Sequence, residues 1–428
     1  YEVYLECNDK GKVMMKVLAS VYACSPYDGS ERAVGWNWIK ELDKYNEIIA
    51  ITSHVYRRDI EDFMKKNPTV IQNTKFVYVD VPHTKWHVGY RLERLYYMLW
   101  QKEAVKKAKE ICRNEKIDLV HHITYVTCVL PTYMHELEIP FLYGPVSGGE
   151  NTPSVIGYPM SVKERMVEFV RSASQLFFKS TPNFLRTMKK SSLILVTTDE
   201  TKKLIPACFQ DKVRVFQSIG LNEEIFYPEP PKKNNAKIQF LVAGRMLYWK
   251  GFELAIRAFV KASQSNGNIE LTVLGDTENN ASYEAHKMHL VELCGSYGDD
   301  RIKFVSTVPH NEMKNFYDKF DCLLNCSLRD SGCFVVMEGM SRELPLICVN
   351  TGGPKINTTD ESAIKVEPAP MEEMVEQIAN AILKIAENEA LRLKMGMEAR
   401  RYAKENFTIS SRTDQMMRFY EEAVGKKE

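Results

Sequence analysis

The sequence predicts an α/β protein made of two doubly wound domains that face each other across a cleft. Short apolar runs alternate with amphipathic helical stretches along the whole chain, which is the pattern of parallel sheets covered by helices. A length of 428 residues exceeds one compact core and suits two domains of roughly 200 residues each. Between them, the proline-rich segment Tyr227–Lys237 interrupts the alternation and predicts a linker. We expect a ligand to bind in the cleft between the domains.

Near-continuous apolar runs, typical of strands buried on both faces, predict the two sheets. In the first half, strands are expected at Lys16–Tyr22, Glu47–His54, Lys75–Val81, Leu119–Thr124, Pro140–Gly144, Leu193–Thr198 and Val213–Gly220. After the linker they are expected at Ile238–Ala243, Ile269–Gly275, Ile302–Ser306, Asp321–Cys326, Pro345–Val349 and Ala363–Val366. Helical spacing of apolar residues predicts helices at Arg32–Leu42, Phe252–Ala262, Asn311–Phe320, Ser410–Val424 and from about Phe334.

These elements divide the chain into five segments. Residues 1–13 are a candidate tag or native extension, 14–226 form the first domain and 227–237 form the linker. Residues 238–407 form the second domain, and a closing helix occupies 408–428.

Composition argues against several classes of protein. With 57 basic and 56 acidic side chains, the net charge is only +1, whereas a general nucleic-acid binder needs a strong basic excess. The ten cysteines include no CxxC pair, so reduced thiols are favoured over a zinc site or disulfides. Neither a membrane span of roughly 18 apolar residues nor a signal peptide is recognisable. We therefore expect a cytoplasmic protein without nucleic-acid partners.

The first candidate ligand-binding loop is Gly244–Gly251, between a predicted strand and a predicted helix. Ligands of doubly wound sheets bind at that junction. Arg245 and Lys250 would bring two cations beside a helix N-terminus, an arrangement that suits a diphosphate and stabilises charge growing on it. The alternative is a solvated basic pair on a turn.

The second candidate loop is Asp330–Glu338, which follows a strand and opens a helix. Gly332 lets the backbone approach a ligand closely, and the amides of 332–334 are placed to meet phosphate oxygens. The carboxylates of Asp330 and Glu338 could accept hydrogen bonds from sugar hydroxyls. The alternatives are that Asp330 caps the helix and that Glu338 is a solvated helix residue. However, Glu338 stands among apolar residues, where a carboxylate needs a partner.

A third loop, Cys24–Glu31, follows the first strand and precedes a helix. Gly29 permits a tight turn there. A single glycine after a first strand is a weak signal, because simple connectors also carry one.

Together, these loops resemble the retaining glycosyltransferases of family four, which have the GT-B fold. That family holds its nucleotide sugar with a Gly-Arg-(four residues)-Lys-Gly segment, intact here from Gly244 to Gly251. A Glu-(seven residues)-Glu segment completes the family pattern, and here Asp330 replaces the first Glu while Glu338 is the second. The shorter Asp330 side chain puts the sugar specificity in question more than the enzyme class.

Other stretches extend the resemblance from Met14 to about Val424. Tyr27–Glu31 and Gly144–Glu150 look like the branch of the family that acts in bacterial surface-glycan assembly. The closing helix resembles the one that crosses back onto the first domain in that family.

The resemblance implies a role for each matched residue. Arg245 and Lys250 would bind the donor diphosphate, Glu338 the ribose hydroxyls and Asp330 the transferred sugar. Further donor contacts are implied for Gly29, Gly244, Val308, Ser331, Gly332, Cys333 and Phe334.

A histidine near the end of the strand Leu119–Thr124 is also implied beside the donor sugar. His121 and His122 are both candidates, and strand alternation directs only one of them to the site. The alternative is a buried histidine bonded to the backbone.

The mechanism implied by the resemblance is retaining transfer of a hexosyl group without a metal. No Asp or Glu is identifiable as a covalent nucleophile, so the departing phosphate, stabilised by Arg245 and Lys250, would help to deprotonate the acceptor hydroxyl. No DxD motif follows a strand in the second half. The expected co-substrate is a UDP- or GDP-linked sugar, with no other cofactor.

The acceptor is expected on the first domain, as a glycan or a lipid-linked glycan in polysaccharide biosynthesis. Residues 161–190 mix basic and aromatic side chains, and such helices can lie on anionic lipid at the inner face of a membrane. The alternative is an amphipathic helix that packs on the core with a solvated charged face.

Two rival functions are a sugar-nucleotide epimerase on the same fold and a noncatalytic glycosyltransferase-like subunit. An epimerase has no need of the carboxylate pair Asp330 and Glu338, and a noncatalytic subunit predicts loss of Arg245, Lys250 or Glu338, all of which are present.

Overall fold

A computed structural model describes residues 14–28, 30–81, 93–130, 132–218, 220–232, 235–276 and 280–425. The candidate extension at 1–13 and the candidate donor contact Gly29 lie outside these residues.

The first sheet, as far as the described residues show, has seven parallel strands in the order β3-β2-β1-β4-β5-β6-β7. Their bounds are β1 Met15–Val21, β2 Asn46–Ser53, β3 Thr74–Val79, β4 Leu119–Thr124, β5 Phe141–Val146, β6 Leu193–Val196 and β7 Val213–Val215. The helices that accompany it are α1 Ser30–Leu42, α2 Arg57–Lys66, α3 Glu93–Asn114, α4 Val162–Lys179, α5 Pro182–Lys190 and α6 Asp199–Leu204. Side chains on both faces of β1 are buried, as its apolar sequence predicts.

The second sheet repeats this winding, with six parallel strands within the described ranges in the order β10-β9-β8-β11-β12-β13. Its strands are β8 Ile238–Arg245, β9 Ile269–Asp276, β10 Ile302–Val305, β11 Cys322–Asn325, β12 Leu346–Val349 and β13 Ala363–Val366. The remaining helices are α7 Phe252–Ser265, α8 Ala281–Tyr297, α9 Met313–Tyr317, α10 Phe334–Ser341, α11 Gly352–Asn357, α12 Met371–Glu387, α13 Glu389–Asn406 and α14 Ile409–Ala423. The predicted fold class, two doubly wound α/β domains, is confirmed.

Contacts between Cα atoms divide the chain into two compact units. The first unit comprises Tyr1–Gly149, Arg171–Ser218 and Arg412–Glu428, and the second comprises Glu150–Val170 and Ile219–Ser411. Most of the final helix α14 therefore belongs to the first unit, where Met416 and Tyr420 are fully buried in its core. The sequence-based domain limits at 226/227 and 407/408 stay a prediction.

Helix α4 differs from the core-packing alternative that the sequence left open. Its large apolar side chains are exposed, with Phe169 at 69% and Phe177 at 68% of full exposure, whereas Gln175 is buried. Exposed apolar side chains of this kind mark a binding surface, because they do not contribute to the core. Within the described ranges, none of the helices is both long and apolar enough to span a bilayer.

Candidate functional site

The two candidate loops of the second unit follow neighbouring strands, β8 and β11. The direction in which strands are added to the sheet reverses at this pair, because β9 lies beside β8 on one side and β12 lies beside β11 on the other. In doubly wound sheets the crevice at the carboxyl ends of such a strand pair is where ligands bind. Sheet order therefore brings together two loops that lie far apart in the sequence.

Gly251 fixes the close approach of the first loop to β11. It ends the loop in a left-handed conformation, φ +68°, directly before α7. A Cβ atom at this position would lie 1.9 Å from the carbonyl oxygen of Cys326, so only glycine fits. The amide of Leu328 also donates to the carbonyl of Trp249 at 2.8 Å, and these contacts join the two loops.

The joined loops place Lys250 against Asp330. The Lys250 Nζ and Asp330 Oδ2 atoms form an ion pair, and the two side chains keep 19% and 14% of their exposure. Burial alone would raise the pKa of Asp330, but Lys250 outweighs it and the pKa lies below its usual range. Burial likewise opposes the charge of Lys250, whose pKa Asp330 raises overall. Both groups are charged at neutral pH, although solvent reaches little of either.

The loop that carries Asp330 is supported from α11, which follows β12 and was not among the predicted site elements. The Gly353 amide donates to the Asp330 carbonyl at 2.7 Å, and Asn357 Nδ2 donates to the Gly332 carbonyl at 3.0 Å. The sequence feature that could have indicated this support is Gly352-Gly353, directly after a predicted strand. Paired glycines allow two backbone segments to approach closely.

Helix α10 begins at this loop, and the side chain of its N-cap residue does not cap it. Cys333 is the N-cap residue, in a left-handed conformation at φ +59°, and makes no side-chain capping bond in the described structure. Asp330 bonds to Lys250 instead, so the alternative that it caps the helix is wrong. A non-glycine residue in this conformation costs about 1–3 kcal/mol. The start of a helix offers amide donors and a positive dipole end to an anion.

Glu338 lies in α10 and is 91% buried, at 9% of full exposure. The partner that its apolar surroundings require is Tyr317, whose hydroxyl donates to Glu338 Oε2 at 2.8 Å. Burial, together with this carboxylate, raises the pKa of Tyr317 well above its usual range. Glu338 is therefore a held acceptor rather than a solvated helix residue.

The remaining predicted donor contacts lie around these loops. Arg245 is the last residue of β8 and is exposed, Gly244 precedes it, and Phe334 starts α10 at 42% exposure. Ser331 and Gly332 lie between Asp330 and the helix, and both are half-buried. Val308 is half-buried in the segment after the edge strand β10.

A second cluster of side chains in this unit holds Tyr248 and Trp249, the two residues that precede Lys250. The Arg329 guanidinium lies 4.1 Å from the centre of the Trp249 ring and pairs with Glu168 at 2.9 Å. The Tyr248 hydroxyl donates to the same carboxylate. Stacking of arginine on tryptophan stabilises such a contact by about 0.5–2 kcal/mol. These contacts are not evident from the sequence, because their members lie 80 to 161 residues apart.

In the first unit, β4 directs its two candidate histidines to opposite faces. His121 bonds through both ring nitrogens, to the Tyr420 hydroxyl at 2.8 Å and to the Gly144 carbonyl at 2.7 Å. His122 stacks on Tyr143 at 5.5 Å, and its Nδ1 atom lacks a hydrogen-bond partner in the described part of the chain. Burial lowers the pKa to about 4 for His121 and to about 3 for His122. Both rings are therefore neutral, and His121 is already fully bonded.

Two carboxylates near the start of α1 and α3 were not predicted as site residues. Glu31 accepts a hydrogen bond from the Val126 amide, and Glu93 accepts one from the Tyr125 hydroxyl. Burial and the neighbouring Glu93 raise the pKa of Glu31 to about 7, against the Val126 amide that lowers it. Glu31 lies in the first turn of the helix that follows β1, and the bonding partners Tyr125 and Val126 directly follow β4. β1 and β4 are the strand pair at which the winding of the first sheet reverses. A carboxyl that titrates near neutrality is suited to proton transfer.

Comparison with solved structures decides the architecture. A glycosyltransferase from Rickettsia africae superposes over 97% of this chain and 100% of its own with a TM-score of 0.63 at 16% identity. An Anabaena HepE structure in complex with UDP and glucose covers 95% of this chain and 99% of its own, at a TM-score of 0.60 and 12% identity. The fold is GT-B.

Sequence relatives agree with the GT-B fold. Residues 223–402 match the family model described as glycosyl transferases group 1, a range that contains both loops of the second unit. A phosphatidylinositol N-acetylglucosaminyltransferase component from Arabidopsis thaliana is 21% identical over 277 residues, which cover 64% of this chain and 56% of the relative. The chain spans about half the length of the curated relatives it matches.

Proposed function

We propose that this GT-B protein is a retaining glycosyltransferase that moves a sugar from a nucleotide-sugar donor to a hydroxyl of a glycan or lipid-linked glycan. The proposal depends chiefly on one observation: a largely buried Lys250–Asp330 pair beside the start of α10, at the carboxyl ends of β8 and β11. Its location within the range that matches the group 1 model supports the assignment.

The donor fits this site by its charges and hydroxyls. Lys250 and the exposed Arg245 bind the diphosphate, with the amides of the α10 start as further donors. Glu338, already held by Tyr317, accepts from the ribose hydroxyls, and Asp330 accepts from the transferred sugar. Lys250 then contacts both Asp330 and the diphosphate, so that its charge remains compensated before and after binding.

Transfer proceeds with retention of configuration and without a metal. Lys250 and Arg245 stabilise the charge that grows on the departing phosphate, and this phosphate removes the proton of the acceptor hydroxyl. Proximity of the two substrates supplies much of the rest of the rate enhancement.

The donor is a UDP- or GDP-linked sugar, and the HepE complex with UDP and glucose on the same fold favours UDP. The acceptor is a lipid-linked glycan or a lipid of surface-glycan or polysaccharide biosynthesis. Support comes from the Arabidopsis relative, whose name specifies phosphatidylinositol, and from the exposed apolar side chains of α4. Residues 161–190 then form a peripheral contact with the inner face of a cytoplasmic membrane.

The test is donor binding and donor hydrolysis with UDP-, GDP- and dTDP-linked sugars, each with and without EDTA. One donor should raise the thermal midpoint and release nucleotide slowly, and EDTA should change neither result. Lys250→Ala and Glu338→Ala should abolish both effects. Lys303→Ala is the matched control, because Lys303 also forms a carboxylate pair in this unit, with Glu270 at 2.7 Å, but on the edge strand.

Several results would contradict the proposal. If none of the donors bound, or if the Lys250 and Glu338 variants bound like the wild type, the donor site would be assigned wrongly. Conversion of the donor sugar to its epimer without an acceptor would identify an epimerase. Tight donor binding with neither hydrolysis nor transfer to any lipid-linked acceptor would identify a noncatalytic subunit.

A further inference from the structure

A cavity of about 240 Å³ lies within the first unit, between α4, α5 and the segment after β4. Aromatic and aliphatic side chains form most of its walls, including Phe178, Phe184, Leu130 and Tyr143. Phe177, exposed to 68%, also lines it, so the cavity reaches the surface. Its lining residues belong to the first unit, whereas the loops assigned to the donor belong to the second unit.

The polar atoms of the walls do not favour a sugar as the occupant. The Thr181 hydroxyl donates to the Phe178 carbonyl at 2.8 Å. The Thr187 hydroxyl donates to the Asn183 carbonyl at 3.0 Å. Since these protons are already used within the protein, the cavity mainly offers apolar contact. A dry apolar cavity of about 150 Å³ is large enough for benzene, so this one accommodates several methylene groups or an isoprenoid unit.

The segment that supplies Phe177, Phe178 and Phe184 to the cavity wall is rich in cations, which indicates an anionic head group on the occupant. Between residues 171 and 190 the sequence has five cations and no acidic residue, although the whole chain has a net charge of +1. These cations are Arg171, Lys179, Arg186, Lys189 and Lys190. Lys190 pairs with Glu138 at 3.4 Å, and that glutamate side chain is 79% exposed. An apolar cavity lined in part by such a cation-rich segment is complementary to a hydrocarbon chain attached to an anion.

We propose that this cavity binds the hydrocarbon chain of an anionic, phosphate-bearing lipid acceptor. Phe177 and the neighbouring exposed Leu176, at 59% of full exposure, contact the chain where it leaves the cavity, and the cations bind the phosphate. The inference adds the class of acceptor to the proposed function. It rests on that function only for the statement that the bound lipid receives the sugar.

The test uses butyl, octyl and dodecyl phosphate, each below the concentration at which it forms micelles, with affinity measured by titration calorimetry. Affinity should rise about fourfold per added methylene group until the cavity is filled, because each buried methylene contributes about 0.8 kcal/mol. Dodecyl trimethylammonium, with the same chain and a cationic head, should bind at least tenfold more weakly than dodecyl phosphate.

Variants test the location of the chain. Leu130→Trp fills the cavity and should reduce the affinity for dodecyl phosphate to that for butyl phosphate. Phe177→Ser removes an exposed ring without affecting the core and should weaken dodecyl phosphate several-fold. Phe169→Ser is the matched control, since Phe169 lies on the same helix at 69% exposure but does not line the cavity. Its affinity should equal that of the wild type.

Other outcomes overturn the inference. Affinity independent of chain length, or unchanged in both Leu130→Trp and Phe177→Ser, would exclude the cavity as the chain site. Self-association that these two variants abolish would show that a second copy of the chain covers the face instead. Nucleotide-sugar binding by the same proteins is measured in parallel. If the wild-type protein binds a nucleotide sugar but none of the alkyl phosphates, this inference alone is refuted. If it binds the alkyl phosphates but no nucleotide sugar, the donor assignment alone is refuted.

Discussion

Replacing Gly251 by alanine tests whether the contact between the two loops creates the donor site. The added Cβ would lie 1.9 Å from the Cys326 carbonyl oxygen, and the backbone at Gly251 has φ +68°. The loop must therefore move away from the end of β11 by more than an ångström. That movement would carry Lys250 away from Asp330.

The expected cost has two parts. A left-handed conformation costs an alanine about 1–2 kcal/mol, and a side chain forced into filled space adds about 1–3 kcal/mol. Gly298→Ala isolates the first part, because Gly298 has φ +61° and its added Cβ would meet no atom within 4 Å. At about 2–4 °C per kcal/mol, we expect Gly251→Ala to lower the unfolding midpoint by about 4–20 °C and Gly298→Ala by about 2–8 °C.

Differential scanning calorimetry measures the two midpoints, and titration with the preferred nucleotide sugar measures the donor affinity. An error of 1 Å in a positioned group can reduce activity by about a hundredfold, so donor hydrolysis by Gly251→Ala should fall by that order while Gly298→Ala retains it. Equal midpoints and equal hydrolysis in the two variants would refute the reasoning. The two loops would then tolerate separation, and the Lys250–Asp330 pair would not depend on their contact.

Three further predictions concern buried charge. Lys250→Met should destabilise the chain by about 2 kcal/mol because it leaves Asp330 largely buried without its cation, and adding Asp330→Asn should restore part of the loss in a double-mutant cycle; additive losses in denaturant unfolding would contradict this. Arg342 is fully buried, and two of its nitrogens donate to Asp318 at 2.7 and 2.8 Å, so Arg342→Met should cost about 3–5 kcal/mol in urea unfolding; a loss below about 1 kcal/mol would show that the pair is dispensable. Glu31 has a pKa raised from 4.5 to about 7 in the folded state. Between these two pH values the folded state retains a proton that the unfolded state has lost, so the free energy of unfolding should fall as the pH rises from about 4.5 to 7. Glu31→Gln should remove this fall, gaining about 1–3 kcal/mol at pH 8 relative to pH 5, and an unchanged pH profile would exclude Glu31 as its source.

Strands and ligand loops were accessible from the sequence because each is specified locally. Strands buried on both faces require apolar residues at nearly every position, and the predicted bounds of Leu119–Thr124 and Ala363–Val366 coincide with β4 and β13. Ends of other strands differ by a residue or more, since burial continues past the last ladder bond. Asp321–Cys326, for example, is buried throughout, but the strand is Cys322–Asn325.

Side-chain direction and pairing were not accessible in the same way. In a strand buried on both faces, adjacent residues occupy similar apolar surroundings, so the sequence does not show which face each one occupies. It also does not show that His121 bonds to Tyr420, which is 299 residues distant. The exposure of Phe169 and Phe177 was equally hidden, because a helix pattern records which side chains share a face and not what covers that face.

The sequence by itself determined two doubly wound halves and the identities of the residues at the carboxyl ends of their strands. These features follow from local periodicity and from glycine, whose conformational freedom is encoded at a single position. The tertiary structure alone decided that Lys250 pairs with Asp330, that Tyr317 holds Glu338, and that an apolar cavity opens beside α4. The physical reason is that parallel strands adjacent in a sheet are joined by long crossovers, so that contacts at their ends depend on strand order, which local sequence does not specify.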